Sequence, residues 1–331
     1  MASLLTAGTR IPEPRGGVRA SCSADVRARL GAYLSAYWLR PENAYWMTLR
    51  SHALIKAGLA TYETDVCCGD GVFSFIHFGG RFAPAFDVFH AVGNLDRVHA
   101  DAADMFDVAA DDYAPPLLVR SPHRAALGFD LKENLLAKAR RLDAYASLRR
   151  HDANAPLPLD DASVGSLYCN SAYWIREIDA FLAEIRRTLA PDGRAALHVK
   201  TSAMRDYSLE RFRPDFGERF TALMGRGRFE CWPTMGTRGQ WEDRFRRAGL
   251  RIVSATPLAT RTHAHIWDVG LRPIAPLLVR MTQALTPDTR EAIKRDWVAL
   301  FMDLLIPLCQ LDFDLFDGAA EPAEIQYILA H

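Results

Sequence analysis

Apolar residues recur at helical spacing near the start of the chain and predict two consecutive helices. The first helix is predicted by six residues: Val26, Leu30, Tyr33, Leu34, Tyr37 and Trp38. We expect Pro41 to mark its end and a second helix to run over 42–59. Five large aromatic side chains fall within this stretch: Tyr33, Tyr37, Trp38, Tyr45 and Trp46. Such aromatic stripes usually face a core, and the alternative interpretation is a cap over a cationic ligand.

After these helices, short apolar runs alternate with amphipathic helical stretches. Two strands are predicted to end at 65–67 and at 128–130, and further strands are predicted at 164–169, 195–199, 250–254 and 325–329. Helical stripes separate them, and the clearest, over 178–189, is expected to be closed by Pro191–Gly193. Strands that alternate with helices in this way form βαβ units, whose right-handed crossovers place helices on both faces of a sheet. The predicted fold class is therefore α/β, with a doubly wound, mostly parallel sheet.

Two stretches do not fit this alternation. Residues 76–125 stand where a single helix would suffice, and 257–323 has the pattern of a helical insertion in which Thr286 and Pro287 begin a helix. We predict four parts in chain order: an N-terminal tail and helical cap over 1–60, a core over 61–256 that includes the 76–125 insertion, a helical insertion or substrate lid over 257–323, and a last core strand over 324–331.

Composition narrows the class of partner. The 331 residues include 40 Lys plus Arg and 40 Asp plus Glu, so the net charge is zero and offers no general attraction for nucleic acid. No apolar run approaches the roughly 20 residues of a membrane helix, and the first residues lack a signal-peptide pattern. Six scattered cysteines lack metal-ligand spacing, which predicts no metal site and favours a reducing cytoplasm. The oligomeric state stays open.

A glycine-rich turn follows the first predicted strand, in the run Asp65-Val66-Cys67-Cys68-Gly69-Asp70-Gly71-Val72-Phe73-Ser74. Glycine lets the backbone approach a ligand without a clash, although a tight turn can also be purely structural. The run lacks the third glycine of the dinucleotide-binding pattern. Asp70 fits either an Asx-turn or a position beside a ligand.

This run resembles the first motif of the Rossmann-like S-adenosylmethionine-dependent methyltransferases. Five later segments resemble that family's motifs in the same order: Gly128–Asp130, His151–Ala153, Leu157–Ser163, Asn170–Trp174 and Leu182–Gly193. The resemblance covers about 62–75 and 126–200, with a weaker match over 239–256. Cys67 departs from the family pattern, because it stands where the first glycine usually is.

The resemblance implies a set of cofactor-binding residues: Asp65, Cys67, Gly69, Gly71, Asp130, Leu131, Asp152, Ala153 and Asn170. In the family, the counterpart of Asp130 holds two ribose hydroxyls and that of Asp152 meets the adenine amino group. Asn170 and Tyr173 are the candidate catalytic residues, because they follow the fourth core strand at the cofactor's methionine end.

Three histidines have both a structural and a functional interpretation. His198 lies among apolar residues inside a predicted strand, which favours a core histidine over a catalytic one. His263 and His265 alternate at the start of the second insertion, where we expect exposed loop positions.

The resemblance implies an S-adenosylmethionine-dependent methyltransferase that acts on a small molecule, in secondary or specialised metabolism. The stretches 22–60 and 257–323 would close over the acceptor. One alternative is a cyclase on the same fold, of the azetidine-2-carboxylate synthase type, which cleaves the cofactor and releases methylthioadenosine. A second alternative is a non-catalytic cofactor-binding module. Zero net charge disfavours an RNA or protein substrate.

Overall fold

The computed structural model describes residues 24–93, 95, 105–108, 113–225, 231–269, 272–310 and 320–331. The strands are β1 Thr64–Val66, β2 Arg81–Phe82, β3 Leu117–Val119, β4 Ala125–Asp130, β5 Tyr145–Arg150, β6 Val164–Cys169, β7 Leu189–Lys200, β8 Arg251–Ala259 and β9 Glu324–Ala330. The predicted tail over 1–21 and parts of both predicted insertions lie outside the described residues.

Helices cover both faces of the sheet. They are α1 Ala24–Ala36, α2 Pro41–Lys56, α3 Val72–His77, α4 Glu133–Ala139, α5 Ile178–Thr188, α6 Ala203–Tyr207, α7 Arg213–Gly225, α8 Arg238–Arg247, α9 Arg261–Val269, α10 Ala275–Gln283 and α11 Pro287–Leu305. Among the described helices, none is long and apolar enough to cross a membrane.

The main sheet has seven strands in the order β5-β4-β1-β6-β7-β9-β8. Strands β5, β4, β1, β6 and β7 are parallel, and β9 runs antiparallel to both β7 and β8. The predicted doubly wound, mostly parallel sheet is confirmed. Its strand order reverses at β1, which pairs with β4 on one side and β6 on the other, and ligands bind at the carboxyl ends of strands at such a reversal.

Several element boundaries differ from the predicted ones. Pro41 begins α2 rather than only ending α1, because proline is tolerated in a first helical turn. The helix predicted to close at Pro191–Gly193 ends at Thr188, and these residues already belong to β7. Strand β8 continues to Ala259, beyond the predicted start of the insertion at 257, because it pairs with β9 as far as Glu324. Pro257 sits at a register shift of that pairing, where its missing N–H is tolerated.

The two faces of the sheet bury separate hydrophobic clusters. Alternate residues of one strand enter different clusters, as Leu167 and Tyr168 of β6 show. Helices α1, α3, α4 and α11 pack on the Tyr168 side, and α5 and α8 pack on the Leu167 side. Among the N-terminal aromatic residues, Tyr33 follows the core interpretation: its ring stacks on Phe73 with centroids 5.8 Å apart, and its hydroxyl donates to the Phe73 carbonyl.

Candidate functional site

The glycine-rich turn after β1 is built from left-handed backbone. Cys67, Gly69 and Gly71 have φ of 61°, 60° and 74°. A side chain added at Gly69 would meet nothing within 4 Å, whereas one added at Gly71 would meet the Tyr145 ring at 3.0 Å and Ala139 at 3.1 Å. Gly69 therefore leaves space for a ligand, and Gly71 lets α4 pack closely. Cys67 adopts a conformation that favours glycine, which is the position where the family pattern has one.

Asp130 joins this turn to the loop after β4. Its Oδ2 accepts a hydrogen bond from the Gly69 amide at 2.9 Å, and its Oδ1 accepts one from the Lys132 amide at 2.9 Å. Burial raises the pKa of Asp130 above its ordinary value. Each oxygen of a carboxylate has two lone pairs, so both can accept a further hydrogen bond from a ligand hydroxyl.

A cavity of about 430 Å³ lies beside Asp130, within the range of small-molecule sites. The carboxyl ends of β1, β4 and β5, the loops that follow them and the start of α4 supply Cys67, Gly69, Asp70, Asp130, Leu131, Lys132, Leu135, His151, Asp152, Ala153 and Asn154. The N-terminal helices and their connection supply Tyr37, Asn43 and Met47, the segment after β6 supplies Ser171, Trp174 and Ile175, and the 76–125 insertion supplies Phe106 and Asp107. The cavity is thus at the strand-order reversal, where this fold class binds ligands.

The lining carries more negative than positive charge. Its carboxylates are Asp70, Asp107, Asp130 and Asp152, and its lysine, Lys132, pairs with Asp107. Burial raises the pKa of Asp70, whereas the Asn154 backbone amide lowers that of Asp152. A negative lining favours a ligand with positive charge.

Two further features of the lining fit an adenosine-bearing cation. Gly69 leaves open space at the turn, and His151 keeps a buried Nε2 atom without a hydrogen-bond partner. A buried polar atom without a partner is costly, so it suits a donor or acceptor on a ligand. The open turn, the orphaned nitrogen and the carboxylates together match the functional groups of S-adenosylmethionine, which carries a sulfonium, hydroxyls and ring nitrogens.

The structure brings six of the predicted cofactor-binding residues to the cavity: Cys67, Gly69, Asp130, Leu131, Asp152 and Ala153. Four predicted site residues do not line it: Asp65, Gly71, Asn170 and Tyr173. The role assigned to each of these residues stays a prediction.

Asp65 lies behind the glycine turn, buried and held by hydroxyl groups. Its Oδ2 accepts from Ser74 Oγ at 2.5 Å and from the Tyr145 hydroxyl at 2.6 Å. Burial raises its pKa to about 7, because the two hydrogen bonds only partly offset the loss of water. Asp65 thus links β1 to α3 and β5 behind the glycine turn.

Tyr173 packs away from the cavity against other aromatic rings. Its ring centroid lies 5.0 Å from that of Trp232, and the Lys200 ammonium lies 5.5 Å from it. Asn170 accepts a hydrogen bond from the hydroxyl of Ser171, which does line the cavity, at 2.8 Å. Both predicted catalytic residues therefore adjoin the lining without belonging to it.

Lys200 belongs to a buried ionic cluster at the carboxyl end of β7. Glu324 pairs with Lys200, accepts two hydrogen bonds from Arg50 at 2.6 Å each and accepts one from Trp46 Nε1 at 3.0 Å. These cations hold the pKa of Glu324 far below its usual range. The Lys200 ammonium also lies 3.7 Å from the Trp46 ring centroid. The cation over Trp46 is thus a lysine of the protein itself, and Trp46 does not line the cavity.

The three histidines have different surroundings. His198 is fully buried between the Tyr168 hydroxyl and the Gln326 side chain, and burial lowers its pKa to about 3, as the core interpretation expects. The expectation of loop positions for His263 and His265 is wrong, because both lie on α9. His263 is half-buried and stacks on Tyr45 with ring centroids 4.8 Å apart.

Other lining residues were missed in the sequence. Lys132, His151 and Asn154 flank predicted positions, so their neighbours were a signal that could have found them. Ser171 and Trp174 lie inside a recognised motif. Tyr37, Asn43, Met47, Phe106 and Asp107 come from elements outside the motifs, and no local pattern indicates which of their neighbours faces the cavity.

Comparison with known proteins identifies a methyltransferase domain within the chain. Residues 111–197 match the family model described as a methyltransferase domain. No curated protein matches the chain. An S-adenosylmethionine-dependent methyltransferase from Mesorhizobium loti shares 14% identity over 86% of this chain and 100% of that one, with a TM-score of 0.40.

Two further solved structures have a similar identity, coverage and TM-score. A methyltransferase from Thermotoga maritima shares 12% identity over 92% of this chain and 90% of that one, with a TM-score of 0.39. The cyclase SpnF shares 16% identity over 85% of this chain and 80% of that one, with a TM-score of 0.41. Likenesses at this level identify no activity.

The family-model match identifies residues 111–197 as a methyltransferase domain, and the seven-stranded, mostly parallel sheet is of the Rossmann-like type that such domains adopt. Its cofactor is accordingly S-adenosylmethionine.

Proposed function

We propose that the protein transfers a methyl group from S-adenosylmethionine to a small molecule. The observation that carries this proposal is one cavity that combines two unlike sets of residues. Loops after three parallel strands bring Gly69, Asp130 and Asp152 to it, and the N-terminal helices bring mostly apolar side chains. A cofactor and a small acceptor require this combination of polar and apolar surface.

The loops at the sheet edge bind and orient the cofactor in this proposal. Asp130 accepts hydrogen bonds from ribose hydroxyls with the lone pairs that Gly69 and Lys132 leave unused. Asp152 accepts a hydrogen bond from the adenine amino group, and Gly69 allows close approach of the ligand to the backbone. The bound cofactor supplies an electrophilic methyl group on a sulfonium, and the carboxylates of the lining favour that positive charge.

The other side of the cavity positions the acceptor. Tyr37, Met47 and Trp174 present apolar or aromatic surface, and Asn43 adds a donor and an acceptor for hydrogen bonds. Methyl transfer is an in-line displacement, so holding the nucleophile against the methyl group and excluding water supply most of the catalysis. These four residues are the ones we assign to that task.

A second reaction is consistent with one observation. The cavity volume of about 430 Å³ lies toward the low end of the range for small-molecule sites, which is about 300–1,000 Å³. A reaction in which the amine of the cofactor displaces methylthioadenosine needs no space for an acceptor. The azetidine-2-carboxylate synthase type of cyclisation is therefore the second candidate.

One experiment separates these proposals. The purified protein is incubated with S-adenosylmethionine alone and then with pools of small amines, phenols and carboxylic acids, and the released nucleoside is identified by mass spectrometry. S-adenosylhomocysteine that appears only with an acceptor supports methyl transfer, whereas methylthioadenosine without an acceptor supports cyclisation. Cofactor binding without either product indicates a non-catalytic module. At a cofactor concentration below the wild-type dissociation constant, Asp130→Ala should lower the yield of either product at least tenfold, and Asp160→Ala, at an exposed aspartate outside the lining, should not.

A further inference from the structure

His151 lines the cavity, and its buried Nε2 atom has no hydrogen-bond partner among the residues that the structure describes. The rest of the residue is held in place. Its backbone amide donates to the Asp130 carbonyl at 2.9 Å, and the centroid of its ring lies 5.5 Å from that of the Phe129 ring. A buried nitrogen without a partner is costly, and this one belongs to a side chain packed against the sheet. Its place in the lining therefore points to a ligand atom as the partner.

The polar side chains next to His151 have different hydrogen-bonding capacities. Asp152 lines the cavity beside it, and the Asn154 backbone amide lowers the pKa of that carboxyl. An ionised carboxylate can only accept hydrogen bonds. The Asn154 side chain is engaged within the protein, because its nitrogen donates to Asp152 at 2.7 Å. Its oxygen accepts from the backbone amides of Arg176 and Glu177. His151 can thus add a donor beside the Asp152 acceptor.

An adenine base needs both kinds of group. Its exocyclic amino group donates hydrogen bonds, whereas its ring nitrogens accept them. A carboxylate can bond to the amino group but offers nothing to a ring nitrogen, and a neutral imidazole donates from the one nitrogen that carries its proton. A carboxylate and an imidazole on successive residues of one cavity wall therefore complement adenine.

We propose that His151 binds the adenine base of the cofactor, with its Nε2–H group donating a hydrogen bond to a ring nitrogen while Asp152 accepts one from the amino group. This inference rests on the proposed function, which places the adenine at Asp152. Binding gives the buried Nε2 atom the partner that the protein alone does not supply. A base with a carbonyl oxygen in place of the amino group brings a second acceptor to Asp152 and is rejected.

Calorimetric titration of the full chain with S-adenosylhomocysteine tests the role of the nitrogen. His151→Phe keeps an aromatic ring against Phe129 and should raise the dissociation constant about five- to hundredfold, because a buried ring nitrogen of the ligand loses its donor. His151→Gln keeps an N–H donor at a similar reach and should recover most of the affinity. His123→Phe, at an exposed position outside the lining, is the matched control and should bind like the wild type. Circular dichroism checks the fold of each variant.

A second titration identifies the ligand atom. The 1-deaza, 3-deaza and 7-deaza analogues of S-adenosylhomocysteine each replace one ring nitrogen by a C–H group. One of them should bind the wild type at least about fivefold more weakly than S-adenosylhomocysteine. The same analogue and S-adenosylhomocysteine should bind His151→Phe equally, because the donor is absent there.

The outcomes separate this inference from the proposed function. If His151→Phe binds S-adenosylhomocysteine as tightly as the wild type does, the inference is overturned and the proposed function stands. The same conclusion follows if every deaza analogue loses the same affinity in both proteins. A wild type that binds no S-adenosylhomocysteine overturns the inference together with the proposed function.

Discussion

The candidate cavity has two walls that are built in different ways. One wall consists of the loops after β1, β4 and β5, where backbone amides and carboxylates such as Asp130 hold one another in place. The other, which we call the cover wall, consists of Tyr37, Asn43 and Met47 from the N-terminal helices, together with Trp174. The first wall, which we call the sheet-edge wall, is polar and is fixed by hydrogen bonds within the turns. The cover wall is largely apolar and is fixed by side chains packed behind it.

This difference separates what a family shares from what an individual enzyme varies. A wall made from backbone turns presents the same donors and acceptors whatever the neighbouring side chains are, which suits a constant ligand. A wall made from helix side chains changes shape with each substitution, which suits a variable one. Substitutions in the two walls should therefore have different effects, set by what holds each wall in place.

The largest effect is expected behind the cover wall, at Glu324. Glu324→Ala removes the carboxylate that pairs with both Arg50 and Lys200, two buried cations. The free energy of unfolding should fall by about 3–5 kcal/mol, as measured by urea denaturation. Glu133→Ala is the control, because its ion pair with Arg140 is exposed, and it should change stability by less than about 1 kcal/mol. Equal effects of the two substitutions would show that the cluster does not hold α2 in place.

The next effect concerns pH and the contact between α2 and α3. His77 Nδ1 lies 2.8 Å from Ser51 Oγ, and burial lowers the pKa of His77 to about 4, below its ordinary value near 6.5. The unfolded chain thus binds a proton that the folded chain does not, so stability should fall as the pH drops from about 6.5 toward 4. Replacing His77 should therefore reduce the loss of unfolding free energy between pH 7 and about pH 5 by about 2 kcal/mol.

Urea unfolding of the wild type and of His77→Gln at pH 7 and at about pH 5 measures this effect. The quantity compared is the loss of unfolding free energy between the two pH values, so a change that the substitution causes equally at both pH values cancels. His123→Gln, at an exposed position, is the control and should leave the pH dependence as it is in the wild type. A loss of stability in His77→Gln as large as that of the wild type would mean that other groups dominate the response to acid.

The smallest effect is expected in the sheet-edge wall, at Cys67. A side chain in left-handed backbone costs about 1–2 kcal/mol, and Cys67 has φ of 61°. Cys67→Gly should therefore stabilise the protein by about 1 kcal/mol, less than the full strain because glycine gains entropy in the unfolded chain. Gly69→Ala, at φ of 60°, should destabilise it by a similar amount. A Cys67→Gly variant less stable than the wild type would mean that packing of the thiol outweighs the strain.

The two walls also differ in what the sequence could reveal. The sheet-edge wall follows the family's motifs: the resemblance of the glycine turn after β1 and of the segment that ends β4 predicted Gly69 and Asp130, both of which line the cavity. The sequence did not show which of the motif residues point their side chains into the cavity and which point away from it. Asp65 turns to Ser74 and Tyr145, and Tyr173 turns to Trp232, because side-chain direction depends on contacts with residues distant in the chain.

The side chains of the cover wall and the ends of several helices and strands are also set by contacts between residues that are distant in the chain. The aromatic pattern predicted α1 and α2 but not that Tyr37 lines the cavity while Tyr33 lies in the core. Strand β8 could not be extended to Ala259 from its own residues, because its length is set by pairing with β9, which lies far along the chain. Asp107 reaches the cavity from an insertion that matches no motif.

The most direct test of the difference between the two walls is a calorimetric titration of the wild type, Asp130→Ala and Met47→Ala with S-adenosylhomocysteine. Asp130→Ala should raise the dissociation constant at least tenfold, because a charge-assisted hydrogen bond contributes about 1.5–3 kcal/mol. Met47→Ala should change it by less than about threefold, a few tenths of a kcal/mol, because Met47 belongs to the cover wall. An Asp130→Ala variant that binds like the wild type, or a Met47→Ala variant that loses as much affinity as Asp130→Ala, would contradict the account.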